Sequence, residues 1–402
     1  MRHYLQLVGL LSAVLVGVIG GINWFINPYG YFDGPRLDGI NSLPLGFNNR
    51  LRLAKALAVS RLRPATVILG NSRAEAGYDA DHSGLADQPA YNLALGGAGL
   101  GEARRYLLEA AAAGRLRQVL LALDLAMFDP SLKTQETDAD SVLITAASGT
   151  IDRSREWRRL AFILFSGTAW SDSVWSVTHQ RKPVTLYLPS GRRDESADLA
   201  QTIREGGHRS ASLRVEATFL AASLRDADAD GFHRSDGQGL GQLRQVVSFA
   251  AERNIRLILL INPIHARQTY LLSAAGLWPL YEQWKRDLSA VASTRPDLVS
   301  LWDFSGVSAC TAEPMPPEDD PAISMRWFRE SSHFRRVLGD QVLDRIFGRP
   351  VDGSCPGLGG PLEPADVAAT LARQRQALGR WVKEHPEDAA EIDELARRYG
   401  RR

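Results

Sequence analysis

The chain predicts an α/β fold, a parallel sheet covered by helices on both faces, and three observations lead there. Apolar, strand-like runs alternate with stretches whose apolar residues recur at helical spacing. The runs are apolar on both faces, as in a sheet buried from both sides, rather than alternating. Residues 128–236 break that rhythm, so the sheet carries an insertion, which reads as mostly helical because a structureless loop of that length is improbable.

The chain opens with residues 4–26, which carry no charged residue and are dense in Leu, Val, Ile and Gly. At helical rise this is enough to cross about 30 Å of hydrocarbon. Trp24, Phe25, Tyr29 and Tyr31 gather at its far end, as aromatic residues do at a bilayer interface, and Arg2 and His3 precede it. These flanks favour a retained anchor whose N-terminus stays in the cytoplasm. A cleaved signal peptide is the competing reading, but the run is long and no small-x-small site follows it cleanly.

Residues 27–49 are rich in Gly, Pro and Asn and read as a connector, and 50–62 as a helix. The β-branched run 66–69 then stops at Gly70, and Ser72 opens a helix, which puts a hydroxyl at the tip of a strand-to-helix turn. A strand over 91–95 ends in Gly96-Gly97-Ala98-Gly99, and a helix over 102–113 closes at Gly114. A strand follows at 118–124. After the insertion come helix 239–252, strand 255–261, helix 278–292, strand 298–304 and helix 334–347.

Within the insertion, 154–165 and 212–224 read as helices and 184–188 as a short strand. Trp157, Trp170 and Trp175 either stack on sugar rings over a cleft or pack the insertion's own core. Past residue 351, Val367, Leu371, Leu378 and Trp381 at helical intervals describe an amphipathic surface helix or a partner-binding extension. The organisation expected is thus an anchor at 1–27, an α/β domain at 28–350 with its insertion at 128–236, and a tail at 351–402.

Composition narrows the function. The 402 residues carry 47 basic and 46 acidic side chains, a net charge of +1, so nothing points to nucleic acid or to adhesion on acidic lipid. Cys310 and Cys355, an even count beyond the anchor, are either a disulfide clamping the last helix or two unrelated buried thiols. The remaining histidines are scattered, neither cysteine has a ligand at finger-like spacing, and there is no Walker loop and no Gly-x-Gly-x-x-Gly after a strand. No metal and no cofactor are expected.

The residues suited to chemistry lie at strand ends, where open α/β sheets bind ligands. A serine hydroxyl needs a base to take its proton, and the base needs a carboxylate to hold its tautomer. Ser72 supplies the first and the segment Glu330-Ser331-Ser332-His333 the other two. The bland alternative makes Ser72 a helix N-cap, with Glu75 completing a capping box. The backbone amides of Ser72 and Gly97 are candidate oxyanion donors. Arg73, Asp124 and Asn262, at or beside strand ends, are candidate substrate contacts. His265 binds substrate, orients a loop, or is satisfied by local hydrogen bonds.

Together these residues resemble the SGNH (GDSL-like) hydrolase superfamily. Gly70-Asn71-Ser72 is similar to its first block, residues 92–99 to its second with the oxyanion glycine at Gly97, and Glu330-x-x-His333 to its closing Asp-x-x-His block. The anchor followed by Asn-Pro-Tyr-Gly, the Gly-Asn-Ser-Arg turn, Asn262-Pro263-Ile264-His265 and the Ser-Ser-His-Phe ending resemble more closely the membrane-anchored SGNH-like proteins of bacteria, which act in O-acetylation or D-alanylation of cell-surface polymers.

The resemblance implies a three-layer, flavodoxin-like fold and a serine esterase or O-acyltransferase, with acetyl the acyl group expected. It further implies a cell-envelope polysaccharide as substrate, a membrane protein as acyl donor, and a single-pass place in the bacterial cytoplasmic membrane with the catalytic domain in the periplasm. Three departures qualify it. The last block carries glutamate for aspartate, which leaves Asp124 and Asp303 as alternative partners of His333. The third-block asparagine has no clear counterpart unless Asn71 or Asn92 substitutes. Asp230-Gly231-Phe232-His233 repeats the Asp-x-x-His pattern elsewhere. The rival class is a non-catalytic protein of the same fold that binds polymer or scaffolds an export complex.

Overall fold

A computed structural model describes residues 1–128, 142–181, 186–223, 236–318, 320–351 and 353–399. Fourteen helices and six strands are found among them. In chain order the early elements are α1 (Arg2–Ile26), α2 (Leu51–Leu62), β1 (Thr66–Leu69), α3 (Ser72–Gly77), β2 (Ala90–Asn92), α4 (Leu100–Ala112) and β3 (Gln118–Leu123). Next come α5 (Arg153–Phe165), α6 (Gly167–His179), α7 (Glu195–Arg204), α8 (Gly207–Ser223), α9 (Asp236–Glu252), β4 (Arg256–Ile261), α10 (Ala266–Ala274) and α11 (Trp278–Ala292). The chain closes with β5 (Val299–Asp303), α12 (Arg336–Ile346), β6 (Gly360–Pro361), α13 (Val367–Glu384) and α14 (Pro386–Tyr399).

The chain divides into two compact units. The first comprises Met1–Arg63, Arg105–Gly114 and Glu136–Leu188. Its α1 is long and apolar enough to cross a membrane. The last turns of α1 pack on α5 and α6, where Asn23 donates to Leu164 O and accepts from Ser173 Oγ, each at 2.8 Å. A small core of Tyr29, Leu53, Leu57, Ile163 and Ala169 lies behind. The buried Arg159–Glu109 pair, 2.9 Å, fixes α5 to the latter half of α4.

The second unit, Pro64–Arg104, Arg115–Gln135 and Pro189–Arg402, holds the sheet, in the order β2-β1-β3-β4-β5-β6. The first five strands are parallel, as expected. The two-residue β6 joins antiparallel to β5, so the sheet is mixed, and its last strand comes from the segment expected to be an external tail. On one face Ile68, Leu120, Ala122, Ile258, Leu260 and Phe304 form a core with α12 and the segment ahead of it. The intervening Val67, Val119, Leu121, Leu257 and Leu259 are equally buried, so the other face is covered too. Burial on both sides is why these strands read as unbroken apolar runs.

Some expectations need correction. Residues 128–236, expected as one insertion over the sheet, are shared between the units: α5 and α6 belong to the first, α7 and α8 to the second. Trp157 and Trp170 are exposed, and Trp175 stacks on His179. Part of the strand expected at 184–188 and the whole of Asp230 to His233 lie outside the described residues. The closing segment folds as two helices rather than one, because Pro386 starts a new helix where its missing N–H costs nothing. Leu378, Trp381 and Ile392 bury α13 and α14 against α8 and α10 within the second unit. Cys310 and Cys355 form a disulfide across that unit, with Cα atoms 5.3 Å apart.

Candidate active site

The site lies wholly in the second unit and begins at the turn after β1. Gly70 adopts φ 151°, and a Cβ there would stand 2.8 Å from the Ala74 side chain and 3.0 Å from Ala122 O, so only glycine allows this exit from the strand. Asn71 then caps α3, its Oδ1 accepting from Arg73 N at 3.0 Å. Ser72 is therefore the first residue of the helix and not its cap. Its hydroxyl is left for another partner, which is His333: Ser72 Oγ and His333 Nε2 are 2.8 Å apart.

Behind the imidazole, His333 Nδ1 is hydrogen-bonded to Glu330 Oε1. The glutamate also accepts the backbone N–H of Ser332 at 2.7 Å and of His333 at 3.1 Å, so three donors converge on it within one tight turn. Glu330 is buried, and burial alone would raise its pKa. The facing His333, Arg329 and the Ser332 amide outweigh that and hold it at about 2, so it stays an anion. Of the three carboxylates proposed as partner of His333, the chain brings Glu330 to it. Asp124 and Asp303 are engaged elsewhere.

Asp124 gathers the strand ends. It accepts from Asn71 Nδ2 and Asn262 Nδ2, both at 2.8 Å, and pairs with Arg73 Nη1. Arg73 turns its Nε and Nη2 to Ser332 Oγ, at 3.1 and 2.7 Å. Asp303 is buried beneath, paired with Lys285 Nζ at 2.9 Å and accepting from Ser305 and Gln374.

Several candidate contacts are struts instead. Asn92, expected as an oxyanion donor, is fully buried, donates to Ala74 O at 2.9 Å and Tyr78 O at 2.8 Å, and braces α3. Asn262 is fully buried between Asp124 and the Tyr78 hydroxyl. His265 caps α10, accepting from Arg267 N at 3.2 Å through Nδ1 and donating from Nε2 to Glu313 O at 2.6 Å. Burial lowers its pKa to about 4, so it is neutral. Its backbone N–H donates to Ser331 O, so it orients the histidine-bearing loop rather than touching a ligand.

The amides expected to hold an oxyanion are unspent. Among the described residues, neither the Ser72 nor the Gly97 N–H donates within the protein, and Gly97 is exposed, with φ 72°. No group of three or more His, Cys, Asp or Glu able to hold a metal occurs among the described residues.

The loop bearing His333 is held from α7 and α8 as well. His208 Nδ1 donates to Arg329 O at 2.6 Å, Ser212 Oγ accepts from Ser331 N at 3.0 Å, and Arg329 pairs with Asp198 at 2.9 Å. Sequence reasoning missed His208, Ser212 and Asp198, which stand in a stretch whose spacing to the loop is set only by the tertiary fold. No protein-family model matches the chain, and no curated protein matches it.

Proposed function

We propose that the protein is a membrane-anchored serine esterase or O-acyltransferase, resembling the SGNH hydrolases, that acts on an acyl ester such as acetyl of a cell-envelope glycan. The observation that carries this reading is the 2.8 Å contact between Ser72 Oγ and His333 Nε2, made by residues 261 positions apart, with Glu330 behind the imidazole. A serine, an imidazole and a buried anion in series form the arrangement that activates a hydroxyl.

In this mechanism Ser72 Oγ attacks the acyl carbon while His333 Nε2 takes its proton, and Glu330 stabilises the imidazolium through Nδ1–H. The oxygen that becomes negative is held by the Ser72 and Gly97 amides. Collapse breaks the bond to the leaving alcohol, which receives the proton from His333 and leaves an acyl-serine. Water then completes hydrolysis, or a sugar hydroxyl completes transfer, with His333 again as base. An acyl donor in the membrane and export of the domain to the periplasm of a bacterial cell fit an anchored enzyme of this kind.

A second reading, a non-catalytic polymer-binding or scaffold protein, is favoured by one observation. The side-chain amides of Asn71, Asn92 and Asn262 are all committed within the protein, so none serves the oxyanion. Turnover of p-nitrophenyl acetate and of an acetylated glycan by wild type and Ser72→Ala separates the two. The enzyme reading expects release by wild type only; equal inertness with retained glycan binding supports the scaffold.

A further inference from the structure

In the first unit, α5 and α6 meet at a corner of one residue. Ser166 ends α5, its N–H bonded to Phe162 O, and begins α6, its hydroxyl accepting from Ala169 N. The corner lies beside the last turns of α1. A Cβ on Gly20 would sit 2.3 Å from Phe165 Cε1, and Asn23 bonds Leu164 O and Ser173 Oγ. Past the end of α1 the pair turns to other partners, Tyr29 donating to Asp172 at 2.7 Å. The corner is thus the part of the pair nearest the N-terminal end of α1.

That depth has a physical meaning if α1 spans a bilayer. About 20 residues at 1.5 Å each cross the roughly 30 Å hydrocarbon layer, and counted from Tyr4 they end at Asn23. Gly20, where Phe165 docks, then lies about one turn inside that boundary. The surface around the corner suits the same solvent. From residue 160 to 178 the only charged side chain is Asp172, which is buried and bonded to Tyr29 and Asn49. Over the same stretch Phe162 is 37%, Phe165 49%, Trp170 40% and Val174 47% exposed. An aqueous surface does not ordinarily carry such a cluster without an occupant. The polar Asn23 is satisfied by the corner itself, as a side chain at the edge of hydrocarbon must be.

We propose that the α5–α6 corner is a membrane-inserted element that dips into the outer lipid interface beside α1, so that the first unit stands on the bilayer by two attachments. The occupant is the lipid surface, because the half-exposed Phe165 packs at Gly20 of α1, whose neighbours Val18 and Ile22 are exposed, at the depth where lipid would surround them. The apolar residues supply the insertion energy, and Trp170 suits the interfacial layer. This inference rests on the membrane-spanning reading of α1 and is independent of the chemistry at Ser72.

The test places single spin labels on the full chain in nanodiscs of phosphatidylethanolamine and phosphatidylglycerol, through Phe162→Cys, Trp170→Cys and Val174→Cys. These positions are exposed, so the labels leave packing intact, and both native cysteines are bonded to each other. Leu15→Cys on α1 reports the span, and Ser148→Cys, an exposed polar site of the same unit, reports water. The expected result is that labels at 162, 170 and 174 are relaxed severalfold more by lipid-dissolved oxygen than by a water-soluble nickel chelate, as at 15 and opposite to 148. Corner labels that behave like 148 while 15 is in lipid overturn the insertion alone. A nickel-accessible label at 15 overturns the span and the insertion with it. Corner labels shielded from both reagents assign the patch to a second copy of the chain and overturn the proposal.

Discussion

Arg73 Nη2 donates to Ser332 Oγ at 2.7 Å, tying the residue after the serine to the residue before the histidine. The same guanidinium pairs with Asp124, so one side chain links the ends of β1 and β3 to the loop that carries His333. Arg73→Ala removes that link and leaves Asp124 buried without its cation. It is expected to lower kcat on a small ester about 100-fold through misplacement, with KM little changed. The melting temperature also falls, the lost pair costing about 3 kcal/mol. Ser332→Ala should lower kcat less and leave the melting temperature nearly unmoved. Steady-state kinetics and thermal denaturation of the two variants check both statements.

Glu330→Gln keeps the shape of the turn and removes the anion facing His333. Turnover is expected to fall about 10³- to 10⁴-fold, the size of effect seen when a triad carboxylate becomes an amide. The pH dependence of stability follows from the depressed carboxyl. Its folded pKa of about 2 lies below the ordinary 4.5, so its contribution is complete above 4.5 and is lost as pH falls toward 2. Denaturant titrations across that window should show a steeper decline for wild type than for the variant.

The fold was legible where one signal dominates. Strands buried on both faces show it as unbroken apolar runs, and α1, long and apolar enough to cross a membrane, shows it by length. The serine and its two partners were legible because each stands at a strand end or directly before a helix. Asn71 and Asn92 were not, since an asparagine that caps a helix and one that braces it look alike until their partners are known. The short α10 escaped because its cap is a histidine, His265, and α6 because it begins at a glycine with only Ser166 between it and the end of α5. Residues 189–223 read as part of an insertion, yet Asp198, His208 and Ser212 hold the loop that carries His333. Such contacts are set by packing between segments and leave no periodicity to detect.

Gly77 and Gly339 bring α3 and α12 backbone to backbone. A Cβ on Gly339 would lie 1.8 Å from Gly77 O, and one on Gly77 would lie 2.0 Å from the Phe334 ring. This close approach sets how near the segment before α12 comes to the start of α3. Gly339→Ala is expected to cost about 3 kcal/mol by overpacking and to reduce turnover beyond what the folded fraction explains. Denaturant melts combined with active-site titration by a serine-reactive probe separate the two effects.

His265 gives a second pH signature. It is neutral in the folded protein, with its pKa lowered by burial from 6.5 to about 4, so the unfolded chain binds more protons between those values. Stability is therefore full above pH 6.5 and declines as pH falls toward 4, by an amount on the order of 3 kcal/mol. His265→Asn, whose side chain can also accept at a helix N-cap, should flatten this decline. Unfolding free energies measured from pH 7.5 to 4 give the comparison.

In the proposed reaction Ser72 is a nucleophile because His333 activates it. Labelling of the folded protein by a fluorophosphonate, with the adduct located by peptide mass spectrometry, measures this directly. A single adduct on Ser72 is expected, lost in His333→Ala while the variant keeps its fold. A folded wild type that takes no label on Ser72, or labelling equally fast without His333, would contradict it.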